Sequence, residues 1–183
     1  MAIIDNFINL AEIETERLIL RKCNVKNIKQ FYKIASNPNV TTWIPWEYHK
    51  SIEETTMFVN SLVEGYIKGT CTTWGIYNKK SNMFMGLTSF VHIKEKNFNA
   101  EIGYWIGEEY WNQGYTTEAV RAVIRYGFEV LGLHRITAGH FVDNPASGKV
   151  MEKAGMVFEG KLKDEAYHRG KFYDINIYAI INE

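Results

Sequence analysis

The chain has 183 residues, 46% of them apolar, and its 21 Lys and Arg are balanced by 21 Asp and Glu. A chain of this length is expected to form one domain, residues 1–183, burying about two-thirds of its unfolded surface without help from disulfides or metals. The balance holds in each half, with 10 basic and 8 acidic side chains over residues 1–91 and 11 and 13 over 92–183, which excludes a broad basic face for nucleic acid or an anionic membrane surface.

Residues 1–14 read as a lead-in: Met1 to Phe7 carry an acid at Asp5 and no cationic start, unlike a secretory signal. Residues 17–21 alternate and predict a strand. Asn24 then caps a helix with Val25, Ile28, Phe31, Ile34 and Ala35 on one face, ending before Asn37-Pro38. An aromatic loop follows, Trp43-Ile44-Pro45-Trp46-Glu47-Tyr48. Ser51 and Glu54 make a capping-box pattern for a second helix carrying Ile52, Val59, Leu62, Val63 and Tyr66. Segments 72–77, 84–94 and 99–106 are rich in aromatic and β-branched residues and are separated by turn compositions, so an antiparallel meander is expected. A third helix covers 116–131 and stops at Gly132. Residues 135–142 form a strand, Asn144-Pro145 opens a short helix closing at Gly155, and 156–166 with 172–181 form a hairpin. This order is an α+β pattern with a mixed sheet, distinct from a doubly wound nucleotide fold.

Most catalytic patterns fail. The Gly-Lys pairs at Gly148, Gly160 and Gly170 continue into Val150, Leu162 and Phe172, so none is a P-loop, and no Gly-x-Ser-x-Gly elbow occurs. His134 and His140 stand six apart with no Cys nearby, and no metal is expected. Cys23 and Cys71 lie outside any Cys-x-x-Cys pair, as in a reduced cytoplasmic protein. The informative run is 101–119, which reads as a strand, a polar loop centred on Gly114 and a helix start. First-turn N–H groups lack intrahelical acceptors and the helix dipole adds positive charge there, so such a start holds a pyrophosphate without a basic side chain. The plain alternative is an ordinary turn.

Four motifs, Thr15-Glu16-Arg17-Leu18-Ile19-Leu20-Arg21, Ala100-Glu101-Ile102-Gly103-Tyr104-Trp105-Ile106, Trp111-Asn112-Gln113-Gly114-Tyr115-Thr116-Thr117-Glu118-Ala119 and Asp143-Asn144-Pro145-Ala146-Ser147, resemble the GCN5-related N-acetyltransferase (GNAT) family. Within it they are similar to the branch that acetylates N-termini of ribosomal proteins. The resemblance implies a mostly antiparallel seven-stranded sheet splayed at its centre and flanked by about four helices. It implies acetyl-coenzyme A (acetyl-CoA) as donor, a primary amine as acceptor and direct attack without a covalent enzyme intermediate. Gln113, Gly114, Tyr115, Thr116 and Thr117 match the pyrophosphate loop. Tyr104, Trp105 and Ile106 match the strand end that pairs with the pantetheine arm, where a backbone N–H polarises the thioester. Trp111 and Thr116 depart from the family's usual loop ends, and the side chain of Trp111 is expected to pack under the turn. Lys149 and Lys153 are placed to approach the remaining phosphate, the alternative being solvated surface lysines.

Met151 stands where many relatives of that family carry a tyrosine that protonates the coenzyme sulfur, and Ser147 matches the serine that replaces it in the ribosomal branch. Asn144 before Pro145 reads from residues alone as a helix cap, and the resemblance adds contact with pantetheine or an ordered water. Glu101 is a candidate to orient water or accept the ammonium proton, or else an ion-paired strand residue; His140 is a weaker candidate base. Trp46, Glu47 and Tyr48 are the expected acceptor contacts, while Trp43 is expected in the core. The expected acceptor is a protein N-terminus, with a polyamine, amino sugar or antibiotic amine as alternatives and a non-catalytic CoA-binding module as the rival class. The resemblance also allows a homodimer.

Overall fold

The computed structural model describes residues 10–183. Among these, the elements in chain order are β1 (Ile13–Glu14), β2 (Leu18–Arg21), α1 (Ile28–Ala35), α2 (Pro38–Thr41), α3 (Ile52–Lys68), β3 (Thr73–Asn78), β4 (Phe84–Lys94), β5 (Asn99–Ile106), α4 (Tyr115–Glu129), β6 (Arg135–Phe141), α5 (Pro145–Lys153), β7 (Val157–His168) and β8 (Lys171–Ile181). The strands form one sheet in the order β1-β2-β3-β4-β5-β6-β8-β7. The α+β class is as expected, with eight strands and five α-helices in place of seven and about four.

The additional strand is β1, in the segment expected to be a lead-in. Leu10 is buried, the Ala11 carbonyl accepts from Trp74 Nε1 at 2.8 Å, and Ile13 and Glu14 pair with Leu20 and Ile19. Residues 10–14 are therefore part of the fold; residues 1–9 of the expected lead-in lie outside the described residues. The additional helix is α2. Asn37 Oδ1 accepts from Asn39 N at 2.9 Å and Pro38 occupies the first helical position, so the pair that ends α1 also starts a new turn. A 3-10 turn, Val25–Asn27, precedes α1 and leaves Val25 exposed, off the apolar face assigned to it. At α3 the Ser51 hydroxyl accepts from Glu54 N at 3.3 Å, and the Glu54 carboxylate accepts from Lys50 N at 2.6 Å, a capping box closed one residue upstream of the usual donor.

Both faces are covered over the middle of the sheet, whereas β7 at its edge is largely exposed. On one, α4 buries Ala119, Val120 and Val123, sets Tyr126 against Trp74 at 5.3 Å, and brings Gly127 beside Phe90 and Ile136. On the other, Phe31 of α1 stacks on Phe84 at 4.4 Å and meets Phe58 of α3 and Trp105 of β5, both at 5.7 Å. Fully burying a side chain of this size contributes about 1.5–3 kcal/mol.

One register detail positions the site. β4 and β5 stay paired as far as Gly86 and Ile106, whereas β5 and β6, the one parallel pair in this sheet, are in register only over Asn99–Arg135, Ala100–Ile136 and Glu101–Thr137. β6 then follows β8 through Phe141. Beyond Glu101 the middle of the sheet is open, and a crevice runs between the C-terminal halves of β5 and β6.

Candidate active site

The crevice leads into a cavity of about 700 Å³. One wall is the end of β5, Tyr104 to Ile106. A second is the loop and helix start that follow, including Glu108, Trp111, Asn112, Gly114, Thr116 and Thr117. The third is α5, with Asn144, Ser147, Lys149 and Lys153. The fourth comes from α2 and its exit, Asn39, Val40, Thr42, Trp43 and Ile44.

Backbone direction at the first wall follows from pairing. Gly107 N donates to Met85 O of β4 at 2.8 Å, so the Ile106–Gly86 pair is of the non-hydrogen-bonded kind and the peptide groups of Ile106 and Tyr104 face away from β4, into the crevice. Trp111 Nε1 donates to Ile106 O at 3.0 Å, which ties the following loop to the strand end. Its expected packing under the turn is thus replaced by a hydrogen bond and a place on the cavity wall.

Gly114 precedes α4 with φ +79°, a left-handed conformation that suits glycine, and caps the helix with no side-chain hydrogen bond. The first-turn N–H groups of α4 are thereby presented beside Thr116 and Thr117 on the wall. Lys149 and Lys153 face the same space, and Arg121 of α4 donates through Nε to Lys153 O at 2.9 Å, holding the two helices together there.

Ser147 reaches the cavity from the first turn of α5. Its hydroxyl lies 3.0 Å from Tyr104 Oη, and Tyr104 Oη also lies 3.0 Å from the Ser147 carbonyl oxygen. Burial pushes the Tyr104 phenol up to about 12, against a smaller lowering by Ser147, so this hydroxyl keeps its proton at neutral pH. Asn144 is at the cap position with φ −113° and ψ 68°, but its side chain makes no cap hydrogen bond and instead lines the cavity; only its carbonyl serves the helix, accepting from Ser147 N at 3.2 Å. Met151 is 1% exposed, a core side chain with no proton to give.

Ten expected residues, Tyr104, Trp105, Ile106, Gly114, Thr116, Thr117, Asn144, Ser147, Lys149 and Lys153, converge on this cavity. Six others are absent from its lining, each for a visible reason. Gln113 folds its amide onto Glu109 O at 2.7 Å. Tyr115 carries the Arg17 guanidinium over its ring, 4.3 Å from the centre, and meets Tyr110 in a T-shaped contact at 6.4 Å. Glu101 lies where β5 and β6 are still paired and accepts from His92 Nδ1 at 3.0 Å. Trp46 packs on Trp105, Phe58 and His49. Glu47 is exposed and paired with Lys50 at 3.4 Å, and Tyr48 is exposed to solvent. The wall they were expected to form is built by Trp43 and Ile44: Trp43 rests on Phe141 and Tyr173 at 5.4 and 5.7 Å and presents its remaining surface to the cavity. His140 is buried with Nδ1 2.8 Å from Phe141 O, behind the wall.

The cavity's carboxylate among the described residues is Glu108, which carries no motif of its own in the sequence. Asn37 donates to it at 2.7 Å and Asn39 at 3.1 and 3.2 Å, and together they hold its pKa below the ordinary carboxylate range. Both cysteines are buried away from the lining, and burial pushes the Cys23 thiol up to about 12.

A family model described as the acetyltransferase (GNAT) domain matches residues 17–157. The chain is 35% identical over 169 residues to the uncharacterized N-acetyltransferase YoaA of Bacillus subtilis, covering 92% of this chain and 96% of that one. It is 30% identical to the ribosomal-protein-serine acetyltransferase of Escherichia coli, covering 91% and 94%. A GNAT-family acetyltransferase structure from Bacillus anthracis superposes with a TM-score of 0.84 at 31% identity, over 93% of this chain and 98% of that one. The ribosomal L7/L12 α-N-protein acetyltransferase RimL, solved with coenzyme A, superposes at 0.80 with 26% identity, over the same shares. With a matching model over most of its length and these relatives, the chain belongs to the GNAT acetyltransferase family.

Proposed function

We propose that the protein transfers the acetyl group of acetyl-CoA to the α-amine of a protein N-terminus. The observation that carries this reading is a single cavity joining an anion-accepting helix start, crevice-facing backbone groups and the Ser147 hydroxyl. Acetyl-CoA brings an activated thioester, a pantetheine arm and phosphates. The peptide groups of Tyr104 and the N–H of Ile106 offer strand-like pairing to the arm, first-turn amides of α4 suit the pyrophosphate, and Lys149 and Lys153 suit the ribose phosphate.

In this reading the acceptor nitrogen attacks the thioester carbonyl, the C–N bond forms and the C–S bond breaks. An N–H of the crevice edge stabilises the developing oxyanion. Ser147 Oγ donates to the departing sulfur, and the proton lost by the nitrogen balances the one gained by the thiol. Neither cysteine is placed to take the acetyl group, which agrees with direct attack. Glu108, held ionised by Asn37 and Asn39 at the start of α2, supplies negative charge to the cavity that Trp43 also lines, where a cationic amine approaches. An α-amine with pKa near 8 is roughly a tenth neutral at pH 7, against on the order of 0.04% for a lysine, so a site without a strong base favours the N-terminus.

The test is thiol release from acetyl-CoA with peptides bearing a free α-amine, the same peptides blocked at the N-terminus, and polyamines. Release with the free peptides alone is expected. Release with polyamines alone would replace the acceptor class, and none with any amine despite coenzyme binding would favour a binding module.

A further inference from the structure

The motif Thr15-Glu16-Arg17 has no residue on the cavity wall, yet it reaches the phosphate end of the cavity from behind. Glu118, in the first turn of α4, accepts through Oε1 from Thr15 Oγ1 at 2.6 Å and Arg17 N at 2.8 Å. Through Oε2 it accepts from Arg17 Nε at 2.6 Å. The same guanidinium donates through Nη1 to Gln113 O at 3.0 Å and lies over Tyr115. One side chain therefore grips the residue before Gly114, the residue after it and the acid one turn into the helix.

We propose that Arg17 and Glu118 are positioning residues that hold the turn from Gln113 to Thr117 in its anion-accepting shape, so that preference for a diphosphate-bearing acyl donor depends on a pair that touches no ligand. This rests on the reading of that turn as the pyrophosphate site. Two physical arguments support it. Gly114 gives the turn its left-handed bend but little stiffness, and amides converge on an anion only when the turn is held. A carboxylate in the first turn would also repel the phosphates, and the Arg17 ion pair offsets that charge. Burial raises the Glu118 pKa, but hydrogen bonds from Thr15 and Arg17 outweigh it and hold the group below the ordinary range, so the pair stays intact at neutral pH. Lysine cannot replace the arrangement in full, because a single ammonium does not span Glu118 and Gln113 as a planar fork does.

The experiment compares kcat/KM for acetyl-CoA, for acetyl-dephospho-CoA, which lacks only the ribose phosphate, and for acetyl-pantetheine, which keeps the thioester and arm but lacks the pyrophosphate, the adenosine and the ribose phosphate, in wild type, Glu118→Gln, Arg17→Ala and the milder Arg17→Lys. The expected result is a loss of about tenfold or more with acetyl-CoA and acetyl-dephospho-CoA in the first two variants, a much smaller loss with acetyl-pantetheine, and an intermediate ratio for Arg17→Lys. Equal fractional losses on all three donors, as a general loss of folded protein would give, overturn the proposal. A wild-type preference for acetyl-dephospho-CoA over acetyl-pantetheine that survives in all three variants overturns it while leaving the pyrophosphate reading intact; a wild type without that preference overturns both.

Discussion

Tyr104 Oη and Ser147 Oγ stand 3.0 Å apart across the crevice, one on the end of β5 and the other on the first turn of α5. In the proposed reaction the pair links the strand whose backbone groups meet the pantetheine arm to the helix whose Ser147 supplies a proton. Ser147→Ala is expected to lower kcat by about 10²-fold with little change in coenzyme affinity. Tyr104→Phe should lower it less, because Ser147 keeps its own hydroxyl. The double variant should lose less than the product of the two, measured as a double-mutant cycle on kcat. Strict multiplicativity would show that the two hydroxyls act separately.

The pH profile follows from the same pair. Tyr104, raised to about 12, stays protonated through the neutral and mildly alkaline range. For a phenol this shift favours the neutral donor, so a falling limb from Tyr104 should appear only as pH approaches that value. kcat/KM is expected to rise from pH 6 and level off near the α-amine pKa of about 8, tracking the neutral fraction of the acceptor. A set of peptides with different N-terminal pKa values checks this: the midpoint should move with the peptide.

Gly148 is fixed by space. A Cβ there would lie 2.7 Å from His140 Nε2, and His140 is buried with its ring held at Phe141 O. Gly148→Ala is expected to push α5 off β6 and to destabilise by about 1–3 kcal/mol, read as a lowered urea midpoint. Because Ser147 is the preceding residue, kcat should fall even in the protein that remains folded.

The proposed acceptor contact separates two tryptophans, Trp43 on the cavity wall and Trp46 packed behind Trp105. Trp43→Ala is expected to raise KM for the acceptor peptide about tenfold while leaving acetyl-CoA affinity near its original value. Trp46→Ala, which removes packing on Trp105 and Phe58, should act on stability first, by on the order of 2 kcal/mol or more. Thermal melts and initial rates on both variants distinguish the two outcomes.

Elements with strong periodicity or caps, such as the alternating 17–21 segment or Ser51 with Glu54, are legible because local chemistry decides them. Val25 departs from the helical pattern because a 3-10 turn rotates it away from the face that Ile28, Phe31 and Ile34 share. The short β1 has only two paired residues, too few for an alternation pattern. At the site, Ser147 and the Gly114 turn carried local motifs, whereas Glu108 and Trp43 did not. Their direction is set by α2, four residues long and hidden behind an Asn-Pro pair that also ends a helix. Glu101 shares a strand face with Gly103 and Trp105, but its distance from the cavity depends on where β5 and β6 part, a tertiary fact.

The claim of α-amine acetylation is tested most directly by mass spectrometry of one peptide carrying both a free N-terminus and an internal lysine, incubated with the protein and acetyl-CoA. Fragmentation should place a single acetyl group on the N-terminal nitrogen and none on the lysine. Acetyl on the lysine side chain, with the N-terminus free, would contradict it.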